Sequence, residues 1–523
     1  MNINEMTLKE KIGQMLCLAF HGTEYNDQLK TLIEEYNIGT IIHFARNIVD
    51  LKQIYKLNND IHKHAKFPTF IGLDHEGGMV RRVMNEITYL PGAMALGNAT
   101  DEELYMIYKQ VGTELRNLGF NMNYMPTVDV NNNPLNPVIN SRSYSDEPIM
   151  VAKKGIIAAK AMQDALMLPT PKHFPGHGDT NVDSHLGLPV VEHTKEDLYN
   201  IELKPFQEMI KNNVDGIMVA HILYKNIDNV YPSSLSYEVI TKLLKEEMGF
   251  KGLIITDSLT MKAIYDKYTV REIIKQSVNA GNDIIMFCGE ASAYNQKEIV
   301  DEFVSLVESG EIPMSRINES VSKVIKLKEK YQSQVGKNYL DDETIKNSFN
   351  LKKELADQLT KRSITSYKDE NKLLPIKEAD KVLCIFPKFS AASLVDNADN
   401  EQISIGKYLG CDELIFNSKE EDEIKCLENI VQKSKKYDKI IVATYNANKN
   451  SFETKAFELL DKSKVINVAL RSPFDILHMS KCNTYICTFD CTKESLIALS
   501  KALKTNEFST KLPINLNIKK GEI

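Results

Sequence analysis

Thr100-Asp101-Glu102-Glu103-Leu104-Tyr105-Met106-Ile107-Tyr108-Lys109-Gln110-Val111-Gly112-Thr113-Glu114-Leu115-Arg116-Asn117-Leu118-Gly119 is the stretch whose reading decides the fold. Thr100 and Glu103 form a capping box, in which each side chain accepts the other residue's backbone N–H and so opens a helix. Leu104, Ile107, Tyr108, Val111, Leu115 and Leu118 then recur at helical spacing, and Gly119 ends the element. An apolar run over 121–130 follows at once, so the segment predicts a helix feeding a strand. Working outward, the short apolar runs 39–45, 69–73, 165–168, 216–220, 253–256 and 283–287 also read as buried strands, each separated by longer helical patterns. Alternation of this kind means a parallel sheet with helical crossovers. Six or more such units in roughly 330 residues fit a (β/α)₈ TIM-type barrel, and an incomplete or modified barrel is also compatible.

The helical pattern over 317–331 closes this region, and the polar segment 332–350, with Gly336, Asp341, Asp342 and Asn347, reads as a linker. Beyond it, strand-like runs at 382–386, 439–444, 465–470 and 484–488 alternate with helical stretches such as 423–434 and 493–503, which predicts a three-layer α/β/α sandwich. The expected division is a catalytic barrel over 1–335, a linker over 336–352 and a C-terminal α/β/α domain over 353–523. There is no internal repeat and no low-complexity segment.

The 523 residues are 43% hydrophobic and 26% charged, an ordinary globular balance. A formal charge of −7 argues against a nucleic-acid surface or an anionic membrane partner. Residues 1–11 mix acids and bases where a signal peptide needs a basic head and an apolar stretch, and no run reaches transmembrane length, so a cytoplasmic protein is expected. The eight cysteines, at 17, 288, 384, 411, 426, 482, 487 and 491, contain no CxxC pair and suit reduced, inert thiols.

Chemistry concentrates in Lys172-His173-Phe174-Pro175-Gly176-His177-Gly178-Asp179-Thr180-Asn181-Val182-Asp183-Ser184-His185, where three His and two Asp lie within fourteen residues. Pro175, Gly176 and Gly178 forbid a helix there, so these side chains sit on a loop leaving a strand, where α/β barrels carry their reactions. Other strand ends deliver Asp74-His75-Glu76-Gly77-Gly78, Asp129, Arg142, His221 and Asp257-Ser258. Asp257 ends the apolar run 252–256, and a carboxylate at the end of so buried a strand is costly without partners. Groups at the ends of successive barrel strands converge on one pocket.

Together with Leu186-Gly187-Leu188-Pro189, Asn136-Pro137-Val138, Ser141-Arg142-Ser143 and Thr256-Asp257-Ser258, the His-rich loop and the Asp74-x-Glu76-Gly77-Gly78 loop resemble those of the family-3 glycoside hydrolases, and within that family the β-N-acetylglucosaminidases. The resemblance covers the first domain nearly end to end. It extends more weakly into the second, through Leu373-Leu374-Pro375 and Lys511-Leu512-Pro513. It implies that Asp257 is the nucleophile of a covalent glycosyl intermediate and that His185, paired with Asp183, is the general acid and base. A retaining glycosidase needs one carboxylate at the anomeric carbon and one proton shuttle nearby. An imidazole held in one tautomer by a carboxylate can fill the second role. The resemblance also places Asp74, Arg82, Arg142, Lys172 and His173 around the sugar hydroxyls and the N-acetyl group. Family members often carry Gln and Arg where this chain has His75 and Met79, which bears on leaving-group preference.

The expected protein is therefore a cytoplasmic, cofactor-free exo-β-N-acetylglucosaminidase acting on small amino-sugar glycosides; the resemblance implies cell-wall muropeptide fragments as natural substrates and amino-sugar recycling as the pathway, and oligomeric state is left open. Competing readings attach to the same residues. Gly176-His177-Gly178 as a phosphate-cradling turn lacks the rest of any nucleotide fingerprint. His173 and His177 as metal ligands at i and i+4 would need a helix that Pro175 and Gly176 forbid, so no metal is expected. His177 and His221 are equally readable as loop-holding residues, and Asp129 as an acceptor of backbone amides. A phosphorylase passing the glycosyl group to phosphate is a rival within enzymology, because a neutral imidazole repels an anionic acceptor less than a carboxylate would. A non-catalytic amino-sugar sensor is the rival of another class.

Overall fold

The computed structural model describes residues 2–181, 183–289, 295–332, 341–388, 403–416 and 422–516. The opening stretch behaves as its sequence dictates. Thr100 caps the helix Asp101–Asn117 with both arms of the capping box in place, and Gly119 turns the chain at φ +92°.

Eight parallel strands form the first sheet: β1 Leu16–Leu18, β2 Thr40–His43, β3 Phe70–Leu73, β4 Met122–Asn123, β5 Leu168–Pro169, β6 Gly216–Val219, β7 Leu253–Ser258 and β8 Ile284–Phe287. They run in the order β5-β4-β3-β2-β1-β8-β7-β6. The two ends of that order meet beyond the regular ladder: Phe174 N–H donates to Met218 C=O at 2.8 Å and Ala220 N–H to Phe174 C=O at 2.8 Å, so the sheet closes into a barrel. Its interior is packed by Cys17, Ile42, Phe70, Met122, Leu253 and Met286, with Val324 and Tyr331 of the helix Met314–Gln332 in the same cluster.

Three expectations need correction. The strand expected over 121–130 ladders only at Met122–Asn123, because Pro126 has no N–H to give; the chain nonetheless stays alongside β5, with Val128 N–H bonded to Lys172 C=O at 2.8 Å. The strand expected at 165–168 begins only at Leu168, since Ala165 caps the preceding helix and Leu166 turns at φ +57°. The expected linker contains a short exposed helix, Asp342–Ser348; residues 333–340 lie outside the described residues.

The second sheet has six strands: β9 Thr365–Asp369, β10 Val382–Pro387, β11 Asp412–Phe416, β12 Lys439–Thr444, β13 Val465–Ala469 and β14 Thr484–Cys487. Their order is β9-β14-β13-β12-β10-β11, parallel throughout except for β9 on β14. Alternate residues face opposite layers. Leu383, Ile385, Ile440 and Val442 pack with Phe452 and Phe457, whereas Cys384, Phe386, Ile441 and Ala443 pack with Leu496, Leu499 and Leu503. This is the expected α/β/α sandwich.

The two units share a seam. Met94 and Ala95 from the barrel half join a core cluster of the sandwich, while Phe349, Ala356 and Leu359 join the barrel's outer cluster. Asn140 Nδ2 donates to Ser472 Oγ at 3.0 Å and Tyr89 Oη to Asp490 Oδ2 at 2.7 Å. We propose 1–335 and 353–523 as the domain limits around this seam. Among the described residues, no helix is long and apolar enough to cross a membrane.

Candidate active site

The ends of β3, β4 and β5 bring five charged side chains into one buried cluster. Lys172, just past β5, reaches Asp74 Oδ1 at 2.8 Å and Glu76 Oε1 at 2.7 Å, both acids following β3. Arg142, on the short 3₁₀ turn Asn140–Arg142, forks onto the same Glu76, Nε to Oε2 at 2.9 Å and Nη2 to Oε1 at 2.7 Å. Arg82 Nη2 approaches Asp74 Oδ2 at 3.6 Å, and Thr127 Oγ1 donates to Glu76 Oε2 at 3.0 Å. Burial alone would raise the Glu76 carboxyl, but the adjacent charges of Arg142 and Lys172 hold it well below the ordinary range. Burial likewise opposes the Lys172 ammonium, and Asp74 and Glu76 more than offset it, so its pKa lies above the usual lysine value. The cluster is a fixed array of fully formed charges, able to meet sugar hydroxyls with directional, charge-assisted bonds.

The His-rich loop is anchored beneath by Asp129. Its Oδ1 accepts the backbone N–H of His173 at 3.1 Å and of His177 at 2.7 Å, and its Oδ2 accepts Nδ1–H of His173 at 2.7 Å. Asp129 therefore holds backbone amides and also sets the tautomer of a site imidazole, both alternatives at once. Gly178 has to be glycine, because a Cβ there would fall 1.6 Å from the carbonyl oxygen of Val130. Buried His177 bonds Thr180 Oγ1 at 2.7 Å and Ser184 Oγ at 3.2 Å, and burial lowers its pKa to about 4, so it is neutral and holds the loop.

At the tip of the loop, Asp183 Oδ1 accepts both the backbone N–H of His185 at 2.9 Å and its Nδ1–H at 2.7 Å. Burial pushes Asp183 up, yet its hydrogen bond to His185 and that residue's charge bring it below the ordinary value. With Nδ1 engaged, Nε2 is the nitrogen available for proton exchange. His185 is half-buried, so that exchange is open to a bound molecule.

Asp257 sits near the end of β7, where the burial pattern breaks from buried to half-buried. Its Oδ1 accepts the Ser258 N–H at 2.7 Å. Desolvation would raise its pKa, but the imidazoles of His221, His173 and His185 and the Ser258 amide lower it to about 2. Those same interactions show that the loop dyad and the β7 carboxylate act in one electrostatic environment. His221 in turn donates Nε2–H to Ser258 C=O at 2.8 Å and bonds Ser234 Oγ at 2.7 Å through Nδ1; burial lowers its pKa. It fixes the turn that presents Asp257.

The fold thus brings Asp257, His185, Asp183, Asp74, Arg82, Arg142, Lys172 and His173 to one mouth of the barrel. Glu76, part of the Asp74-x-Glu76-Gly77-Gly78 motif but without an expected role of its own, couples Arg142 to Lys172. Only its position two residues after Asp74 at a strand end could have signalled this. The second domain also reaches the site's rear: one cavity is lined by Glu76, Gly78 and Arg142 from the barrel and by Arg471, Phe489 and Asp490 from the sandwich. Gly78, at φ +56°, admits this approach, since a Cβ would lie 2.8 Å from Asp490 Oδ2. Of the two departures from the family pattern, His75 is fully buried and Met79 packs against a core cluster of the second domain.

A closed parallel barrel with an ionised carboxylate and an Asp-His dyad at its mouth carries the groups that glycoside cleavage needs. The description "Glycosyl hydrolase family 3 N terminal domain" matches residues 7–327. The chain belongs to glycosyl hydrolase family 3. A β-hexosaminidase A of Pseudoalteromonas piscicida is 35% identical over 421 residues, 72% of this chain and 70% of that protein. A β-hexosaminidase of Thiobacillus denitrificans is 31% identical over 297 residues, 55% of this chain and 80% of that protein. Among solved structures, a glycoside hydrolase family 3 β-N-acetylglucosaminidase from Paenibacillus sp. superimposes with a TM-score of 0.89 at 35% identity, covering 98% of this chain and all of that one.

Proposed function

We propose that this chain is a retaining exo-β-N-acetylglucosaminidase in which Asp257 is the nucleophile and His185, oriented by Asp183, is the proton shuttle. The observation that carries the reading is the Nδ1–H to Oδ1 bond of 2.7 Å within the dyad, on a loop whose imidazole also acts electrostatically on Asp257. An acid held at about 2 is ionised at neutral pH and ready to attack an anomeric carbon. In the first step His185 Nε2–H protonates the departing glycosidic oxygen as Asp257 bonds to the sugar. In the second the same nitrogen takes a proton from water, which displaces Asp257 with overall retention.

Asp74, Arg82, Arg142, Lys172 and His173 would hold the terminal N-acetylglucosamine, the cations directly and Asp74 through the ring hydroxyls. Cell-wall muropeptide fragments are the natural substrates we assign, with the cytosol as the site of action; the eight free cysteines, six of them buried, suit that compartment. The catalytic steps need no metal.

The test is product analysis by NMR on a β-N-acetylglucosaminide, with and without millimolar phosphate. Hydrolysis predicts free N-acetylglucosamine of β-configuration at a rate insensitive to phosphate. N-acetylglucosamine 1-phosphate rising with phosphate concentration would make the enzyme a phosphorylase. Equal rates on plain β-glucosides would remove the amino-sugar assignment.

A further inference from the structure

The catalytic loop also takes part in a second cluster of polar groups, one that the reaction does not use. Asp179, His193 and Glu202 each offer one ligand atom, and the three atoms lie within 4.8 Å of one another. Nε2 of His193 is hydrogen-bonded to Oδ2 of Asp179, and both side chains are about one-third exposed, at 32% and 29%. Glu202, immediately before the helix Leu203–Lys211, is only 2% exposed. Its Oε1 accepts from Asn132 Nδ2 at 3.0 Å, whereas its buried Oε2 finds no hydrogen-bond partner in another residue among those described. A buried carboxylate oxygen without a partner costs free energy, and it lies beside a second carboxylate.

We propose that Asp179, His193 and Glu202 form a binding site for a divalent transition-metal ion, with zinc the best match. Two carboxylates and one neutral imidazole balance a double positive charge, and three protein ligands leave a fourth position for water on the exposed side. The imidazole disfavours calcium and magnesium, which take oxygen donors. Bonds of about 2.0–2.1 Å bring tetrahedral ligand atoms to about 3.3 Å apart, and the partly exposed Asp179 and His193 have the freedom to close that distance.

Each ligand belongs to a different part of the fold. Asp179 is on the catalytic loop, four residues before Asp183; His193 follows the two-residue strand Val190–Val191, which pairs with Leu223–Tyr224; Glu202 starts an outer helix of the barrel. The ion would clamp the dyad's loop to two fixed elements and take no part in bond making. The spacings of fourteen and nine residues match no familiar ligand pattern, so sequence alone did not disclose the site.

The experiment is a calorimetric titration of the full chain, stripped with chelator, using zinc chloride with magnesium chloride as control, and thermal melts of the same samples. One zinc per chain, no magnesium heat and a melting temperature raised by about 3 °C or more are expected. His193→Gln and Glu202→Gln should each weaken zinc binding by about 10-fold or more. His185→Ala, which disables the other Asp-His pair, should leave it unchanged. Glu202→Gln is isosteric and removes a buried charge, so it should remain folded, as far-UV circular dichroism would check. Absence of zinc binding to the wild-type chain overturns the proposal. So does stoichiometric zinc that survives His193→Gln and Glu202→Gln but is lost with His185→Ala. These outcomes do not depend on which glycoside the enzyme cleaves.

Discussion

Two lysines, buried to nearly the same degree at different places in one barrel, carry opposite lessons. Lys172 is 2% exposed and Lys328 1%. At the mouth, Lys172 lies against Asp74 and Glu76 and its pKa is raised. Lys328, on the helix Met314–Gln332, donates to the neutral Oε1 of Gln14 at 2.7 Å and lies 5.5 Å from the Phe70 ring; burial drives its pKa well below the ordinary value. The same residue type is kept charged where carboxylates surround it and pushed toward neutrality where they do not. The charged array at the mouth is maintained by pairing, at the expense of desolvation, which is the pattern of a binding site rather than of a core.

The largest effect expected is at the centre of that array. Asp257→Asn should lower kcat by more than about 10⁴-fold for every substrate, measured by steady-state kinetics, because a carboxamide cannot replace the carboxylate as nucleophile toward the sugar. His185→Ala should cost about 10²- to 10⁴-fold on alkyl glycosides and much less on nitrophenyl glycosides, whose leaving groups depart without a proton. Equal losses on both substrate types would break the division of labour.

The two lysines can be set against each other directly. Lys172→Met leaves Asp74 and Glu76 short of a partner and should destabilise the chain by about 3–5 kcal/mol in denaturant titrations while raising KM. Lys328→Met exchanges a side chain held toward neutrality for an apolar one of similar length. It should change stability by less than about 1.5 kcal/mol and leave kcat/KM unaltered. Similar outcomes for the two would dissolve the contrast.

A smaller effect concerns pH. The folded pKa of Asp257 is depressed, to about 2, so the nucleophile stays ionised as pH falls until that value is approached. Glycosylation by a nitrophenyl substrate, which needs no proton on its leaving group, should be flat in single-turnover kinetics from about pH 4 to about pH 8. Smallest is the seam: Tyr89→Phe removes a hydrogen bond to Asp490 and should cost about 1–2 kcal/mol of stability with little change in kcat.

Much of this was legible in the sequence, for identifiable reasons. β3, β6 and β8 are continuous apolar runs because both faces of a barrel strand are buried. β1, only three residues long, hides inside the helical pattern of its neighbours, and the edge strands β9 and β11 are too polar to stand out, with Asp412 and Glu413 exposed. The His-rich loop announced its chemistry through composition. The role of Glu76 and the approach of Arg471 and Asp490 did not show, because each depends on a long-range contact that no local spacing encodes.

The assignment of Asp257 as nucleophile is tested most directly by trapping. After brief reaction with a fluorinated N-acetylglucosaminyl substrate whose intermediate turns over slowly, tryptic digestion and mass spectrometry should find the sugar on the peptide 252–262, at Asp257, with none formed by Asp257→Asn. A sugar adduct on another carboxylate, or burst-free turnover with inverted product and no adduct at all, would contradict the account.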